Sequence, residues 1–129
     1  MTMNPFLEAR VDMEKILVVD DEPLACEFLK KFLGKQGYEI SMATTGEQAL
    51  ELIQAERLHL VLLDIRMPGM DGMEVMRRAK AIDPALGFIM VTAIRDDHIG
   101  RKALSEGAYD YITKPVDIEY LKTSMSLVE

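Results

Sequence analysis

Five times along the chain, a short apolar run rich in Val, Ile and Leu is followed by a longer segment whose apolar residues recur at helical spacing. Such alternation yields a parallel sheet with helices on both faces, because each parallel crossover needs a helix-length connection. Strands are expected over 15–20, 38–43, 58–64, 88–92 and 108–113. Pro23 suits a first helical turn, and Leu24, Phe28 and Phe32 follow at helical spacing until Gly34 and Gly37 end the segment. Thr45 with Gln48 reads as a capping box for the helix carrying Ala49, Leu50 and Ile53. Beyond the loop 65–70, Asp71 is expected to cap a helix reaching about Ile82, with Pro84 and Gly87 breaking the chain after it. A fourth helix is expected over 97–106, stopping at Gly107. Asp117 suits the cap of a fifth, in which Ile118, Leu121 and Met125 share a face.

With 129 residues, 49% of them hydrophobic, the chain is the size of one domain and can bury a core without disulfides or a structural metal. The expected organisation is a short disordered tail over 1–14 and one folded domain over 15–129, with no repeat, linker or output domain. Glu8, Arg10, Asp12 and Glu14 interrupt the N-terminal stretch, which is therefore not a signal peptide. The lone Cys26 fits a reducing compartment, so a cytoplasmic location is expected. Apolar runs such as 60–63 and 88–91 fall far short of the roughly 18 residues a spanning helix needs. A net charge of −7 argues against direct binding to nucleic acid or anionic lipid, both of which favour basic surfaces.

In an open parallel sheet, ligands bind outside the carboxyl ends of the strands, where the strand order reverses. Asp20 and Asp21 end the first expected strand, Asp64 the third and Thr92 the fourth, while Lys114 follows the fifth. Polar residues end many strands merely because loops are solvated, but three carboxylates, a hydroxyl and an ammonium on one edge are a chemical constellation. Clustered carboxylates resist ionising together unless a cation neutralises them, and oxygen-only ligands suit a hard ion such as Mg²⁺.

The runs Ile16-Leu-Val-Val-Asp-Asp-Glu-Pro23, Leu62-Leu-Asp-Ile-Arg-Met-Pro-Gly-Met-Asp-Gly72, Met90-Val-Thr-Ala93 and Tyr109-Asp-Tyr-Ile-Thr-Lys-Pro115 closely resemble the signature segments of response-regulator receiver domains. The resemblance covers residues 15–127 without a large insertion. It implies an α/β fold: a single doubly wound, five-stranded parallel sheet in the flavodoxin-like order 2-1-3-4-5, with five helices. It also implies a signalling switch rather than an enzyme. Asp64 would be the phosphoacceptor, served by a sensor histidine kinase or a histidine phosphotransfer protein. Asp20, Asp21, Asp64 and the backbone carbonyl of Arg66 would hold Mg²⁺, or Mn²⁺ in its place. Thr92, Lys114 and the backbone of Ala93 would bind the phosphoryl group, and Thr92 and Tyr111 would switch conformation with it. Lys114-Pro115 matches a bond that is usually cis in the family. Arg66 and Ile94, each two residues beyond a key site residue, match positions that in the family tune hydrolysis of the phosphoryl group. The face of the fourth helix, fifth strand and fifth helix, with Ile94, Ile99, Tyr111 and Tyr120 as a candidate apolar patch, would serve a homodimer or a target protein.

A haloacid-dehalogenase-type phosphatase or phosphotransferase also uses an aspartate after a strand, but it wants a second acid two positions on, where Arg66 stands. A nucleotide-binding module is disfavoured because no glycine-rich phosphate loop follows the first strand. His59 and His98 have no partner at zinc-ligand spacing and read as surface residues. Cys26 reads as a small buried hydrophobe, and the ten methionines as core filler or loop residues, with Met67 and Met70 flanking the loop after Asp64.

Overall fold

In a computed structural model, which describes residues 15–128, strands and helices alternate without exception. The elements are β1 (Lys15–Val19), α1 (Pro23–Lys35), β2 (Glu39–Ala43), α2 (Gly46–Ala55), β3 (Leu60–Leu63), α3 (Gly72–Ile82), β4 (Gly87–Thr92), α4 (Asp97–Ser105), β5 (Asp110–Thr113) and α5 (Ile118–Ser126). The strands form one parallel sheet in the expected order β2-β1-β3-β4-β5. The tail expected over 1–14 lies outside the described residues.

Period-two alternation divides the sheet's side chains between two cores. Leu17, Val19, Val61, Leu63, Phe88 and Met90 pack with Ala49 and Ile53 of α2, Val75, Met76 and Ala79 of α3, and Ala103 of α4. Ile16, Val18, Leu60, Leu62, Ile89 and Val91 pack on the opposite face with Cys26, Leu29 and Leu33 of α1 and Leu121 and Met125 of α5. Burial on both faces explains why β1, β3 and β4 read as continuous apolar runs.

Apart from β4, which gains Gly87, the strands are shorter than expected. Leu58 and Ala108 are buried by packing but lie ahead of their ladders, so their hydrophobicity does not mark strand pairing. At the other end Asp20 and Asp64 leave their strands, because one oxygen of each carboxylate takes a backbone N–H two residues on and turns the chain. In α1 the buried stripe is Cys26, Leu29 and Leu33, whereas Leu24 is 84% and Phe28 54% exposed. The helix carries two apolar stripes, and docking on the sheet selects the one at 26, 29 and 33.

The capping devices form much as expected. Thr45 Oγ1 accepts from Gln48 N at 3.1 Å, but the Gln48 side chain reaches back to Thr44 N rather than Thr45 N. Asp71 accepts from Glu74 N and Asp117 from Tyr120 N. Asp96, ahead of the expected start of α4, caps both His98 N and Ile99 N. Gly107 takes the left-handed conformation (φ 117°) that ends α4.

Candidate functional site

Parallel pairing continues one residue past the strand ends and delivers the polar residues to one edge. Asp20 N donates to Ala43 O, Asp64 N to Val19 O, and Lys114 N to Thr92 O, at 3.1, 2.9 and 2.9 Å. Asp20, Asp64 and Thr92 are all buried, although their side chains are polar.

Lys114 Nζ bridges the two buried carboxylates, donating to Asp20 Oδ2 at 2.5 Å and to Asp64 Oδ2 at 3.1 Å. The remaining oxygens are held by the loops: Asp20 Oδ1 accepts from Glu22 N at 3.0 Å, and Asp64 Oδ1 from Arg66 N at 3.1 Å. Asp21 joins them, and one carboxylate oxygen from each of Asp20, Asp21 and Asp64 lies within 4.8 Å of the others. Three carboxylates against one ammonium leave the cluster formally two charges negative. Burial raises the Asp20 pKa despite the lowering effect of the Lys114 hydrogen bond. Burial opposes the Lys114 ammonium, but its bonds to Asp20 and Asp64 outweigh that and raise its pKa. A cluster of oxygen donors with excess negative charge is what a hard divalent cation requires, so the donor set fits Mg²⁺.

Across from the carboxylates, Thr92 Oγ1 makes only a long contact, 3.4 Å, to Ile94 N. The Ile94 carbonyl accepts from Tyr111 OH at 2.7 Å, so the threonine and the tyrosine grip one residue of the β4–α4 loop. The Lys114–Pro115 peptide is cis, as expected. Cys26 donates its thiol to the Asp20 carbonyl at 3.3 Å from beneath; burial pushes its pKa up to about 11, in keeping with a packing role.

The other residues singled out from the sequence differ in how deep they lie. Ile94, Ile99 and Tyr111 are half-buried and pack against the core, while Tyr120 is exposed, with its hydroxyl on Asp110. Arg66 is exposed, whereas Ile94 is occupied by packing. His98 is exposed as expected, but His59 is half-buried and its Nδ1 is fully so. Met67 is buried, as core filler.

Two contributors escaped sequence reasoning. Arg95 donates to the Lys114 carbonyl at 3.1 Å, tying the β4–α4 loop to the lysine; a lone Arg after Thr92 carries no local signal for this. Gly72 lets α3 start against the Asp64 loop, since a Cβ there would collide with the Asp64 carbonyl. A glycine immediately after an N-cap aspartate, where a better helix former would normally stand, was the available hint.

The sequence profile of the response regulator receiver domain matches residues 16–126. The chain belongs to the response-regulator receiver family. It is 38% identical over 110 residues to the transcriptional regulatory protein ZraR of Escherichia coli strain K12, covering 85% of this chain but 25% of that protein. The chain thus spans about a quarter of the length of the first curated relatives it matches. Sporulation initiation phosphotransferase F of Bacillus subtilis is 38% identical over 112 residues, 87% of this chain and 90% of that protein. Among solved structures, the response regulator protein TrrA of Thermotoga maritima, in complex with Mg²⁺ and BeF, superposes with a TM-score of 0.81 at 35% identity. That superposition covers 91% of this chain and 100% of the other. As a receiver domain the chain is a component of two-component signalling.

Proposed function

We propose that this receiver is a phosphorylation-activated switch in which Asp64 accepts a phosphoryl group from a histidine kinase or a histidine phosphotransfer protein. The observation that carries this reading is the buried Asp64 carboxylate, bridged by Lys114 to Asp20 with Asp21 alongside, in a chain of this family. One Asp64 oxygen attacks phosphorus and forms the P–O bond of an acyl phosphate, while the P–N bond to the donor histidine breaks and the imidazole keeps the electron pair. The carboxylates of Asp20, Asp21 and Asp64 and the Arg66 carbonyl would hold Mg²⁺, which would supply positive charge to the phosphoryl oxygens. Lys114 stabilises the same charge from the side, and its two carboxylate bonds fix the ammonium beforehand.

Thr92 and the backbone of Ala93 bind the transferred group. The Thr92 hydroxyl gives up only a long contact to do so, and Ile94 then moves with it. Because Tyr111 OH holds the Ile94 carbonyl, that motion reaches β5 and the neighbouring faces of α4 and α5, where a second copy or a target reads the state. Phosphorylation supplies about two negative charges to bias this equilibrium. The buried unpaired thiol of Cys26 favours a cytoplasmic setting, and no helix among the described residues is long and apolar enough to cross a membrane. The haloacid-dehalogenase alternative is not favoured, since the position where it needs an acid is the exposed Arg66.

Intact-mass spectrometry after incubation with acetyl phosphate tests the reading. A Mg²⁺-dependent gain of one phosphoryl group by the wild type, absent from Asp64→Asn, is expected. No gain, together with an amide spectrum unmoved by beryllofluoride, would refute it. Arg66 is exposed and free to pair with phosphate, so it is expected to slow hydrolysis by shielding the acyl phosphate from water. Arg66→Asn should shorten the lifetime of the phosphorylated protein severalfold, and an equal lifetime would remove Arg66 from that role.

A further inference from the structure

Lys114 is held by its backbone as well as by its ammonium. β5 pairs with β4 alone, so the chain just past β5 depends on β4 and the loop after it. In a parallel ladder, a residue whose N–H donates to a carbonyl of the neighbouring strand accepts, through its own carbonyl, from the N–H two residues further along that strand. Lys114 N donates to Thr92 O at 2.9 Å, which makes Ile94 N the expected donor to the Lys114 carbonyl. Ile94 N instead contacts Thr92 Oγ1 at 3.4 Å, and Nη2 of the next residue, Arg95, donates to the Lys114 carbonyl at 3.1 Å. The guanidinium thus replaces the missing rung of the ladder. Pro115, which has no N–H, offers no such anchor immediately beyond the lysine. Arg95 is exposed, yet its bond is charge-assisted and its charge is permanent.

We propose that Arg95 is a positioning residue for phosphoryl transfer, fixing the Lys114 peptide so that the ammonium meets the phosphoryl oxygens on Asp64. The proposal rests on the reading of Asp64 as the phosphoacceptor. A lysine carries its charge on a flexible stem, so its aim depends on where the backbone sets the start of that stem. Misplacement by about 1 Å of a group that stabilises developing charge is enough to slow the chemistry. Arg95 follows Thr92 and Ile94 in one loop, so the lysine is anchored to the same segment that carries the threonine's contact.

Initial rates of Mg²⁺-dependent labelling by acetyl phosphate, read as intact mass on the full 129-residue chain, test the role. Arg95→Met keeps a long stem and loses the donors, and it should label about threefold to tenfold more slowly, the range of one hydrogen bond. Arg95→Lys, which retains a charged donor, should recover most of that loss. Arg101 on α4 lines the same cleft as Arg95, and Arg101→Met, which removes an equal charge there, should label like the wild type. Arg95→Met should also bind beryllofluoride severalfold more weakly in the presence of Mg²⁺. Its Mg²⁺ affinity, followed by amide shifts, should stay that of the wild type, because the three carboxylates keep their places. Wild-type rates in Arg95→Met, an equal slowing in Arg101→Met, no recovery in Arg95→Lys, or a matching loss of Mg²⁺ affinity would each overturn the proposal while leaving Asp64 as the acceptor. A wild type that neither labels nor responds to beryllofluoride would instead refute the acceptor reading, and the proposal with it.

Discussion

Asp20 shows what a site residue costs the fold that carries it. The residue is 3% exposed, and burial raises its pKa even though Lys114 is bonded to it. A group whose folded pKa lies above its unfolded value favours folding while protonated, and that contribution is lost as pH rises through the folded pKa. At neutral pH the ionised side chain therefore opposes folding unless a cation is present. Asp20→Asn keeps an acceptor for Glu22 N without the buried charge, and without Mg²⁺ it should melt a few degrees higher than wild type at pH 7. The difference should shrink as pH falls below the carboxylate range, and a variant that melts no higher at pH 7 would refute the account. Mg²⁺ should raise the melting point of the wild type more than that of the variant, because binding to the native state alone adds stability by mass action. That Asp20, Asp64 and Lys114 meet at one edge of the sheet was legible from their positions after apolar runs. Arg95 was not, since its bond to the Lys114 carbonyl joins residues 19 apart in sequence.

At the scale of elements, each helix start is fixed by a local device, and α3 is also fixed by contact. Gly72 N donates to Ile65 O at 2.8 Å, which presses the first turn of α3 against the loop carrying Asp64. A side chain at Gly72 would meet backbone rather than a flexible side-chain end. Gly72→Ala should therefore lose about 1–3 kcal/mol in denaturant unfolding, despite alanine's better helix propensity, and should slow acetyl-phosphate labelling by displacing Asp64. A more stable variant would show that the α3–loop contact yields easily. Caps were readable because their signal spans three residues, as in Asp71 to Glu74. The buried stripe of α1 was not, because both of its stripes are apolar and only the docked sheet distinguishes Cys26, Leu29 and Leu33 from Leu24 and Phe28.

Across the whole molecule, the sheet transmits position from the two cores to the edge. Phe88 on β4 is fully buried, with the Lys80 ammonium 5.5 Å from its ring centre, in the core shared with α3 and α4. Phe88→Ala should cost about 3–5 kcal/mol, measured as a shift in urea midpoint, because the ring's contacts and volume are lost together. A loss below about 1 kcal/mol would mean that the surrounding side chains collapse into the space. The sequence by itself determined the alternation of elements, the parallel sheet and the set of polar residues at its carboxyl edge, because these follow from residue type and spacing along the chain. Only the tertiary structure decided which carboxylate oxygens share Lys114, that Ile94 and Tyr111 are packed and bonded, and that His59 Nδ1 is buried without a partner. Those outcomes depend on distances between residues remote in sequence, which are set by how helices and strands pack and leave no periodic trace in the chain.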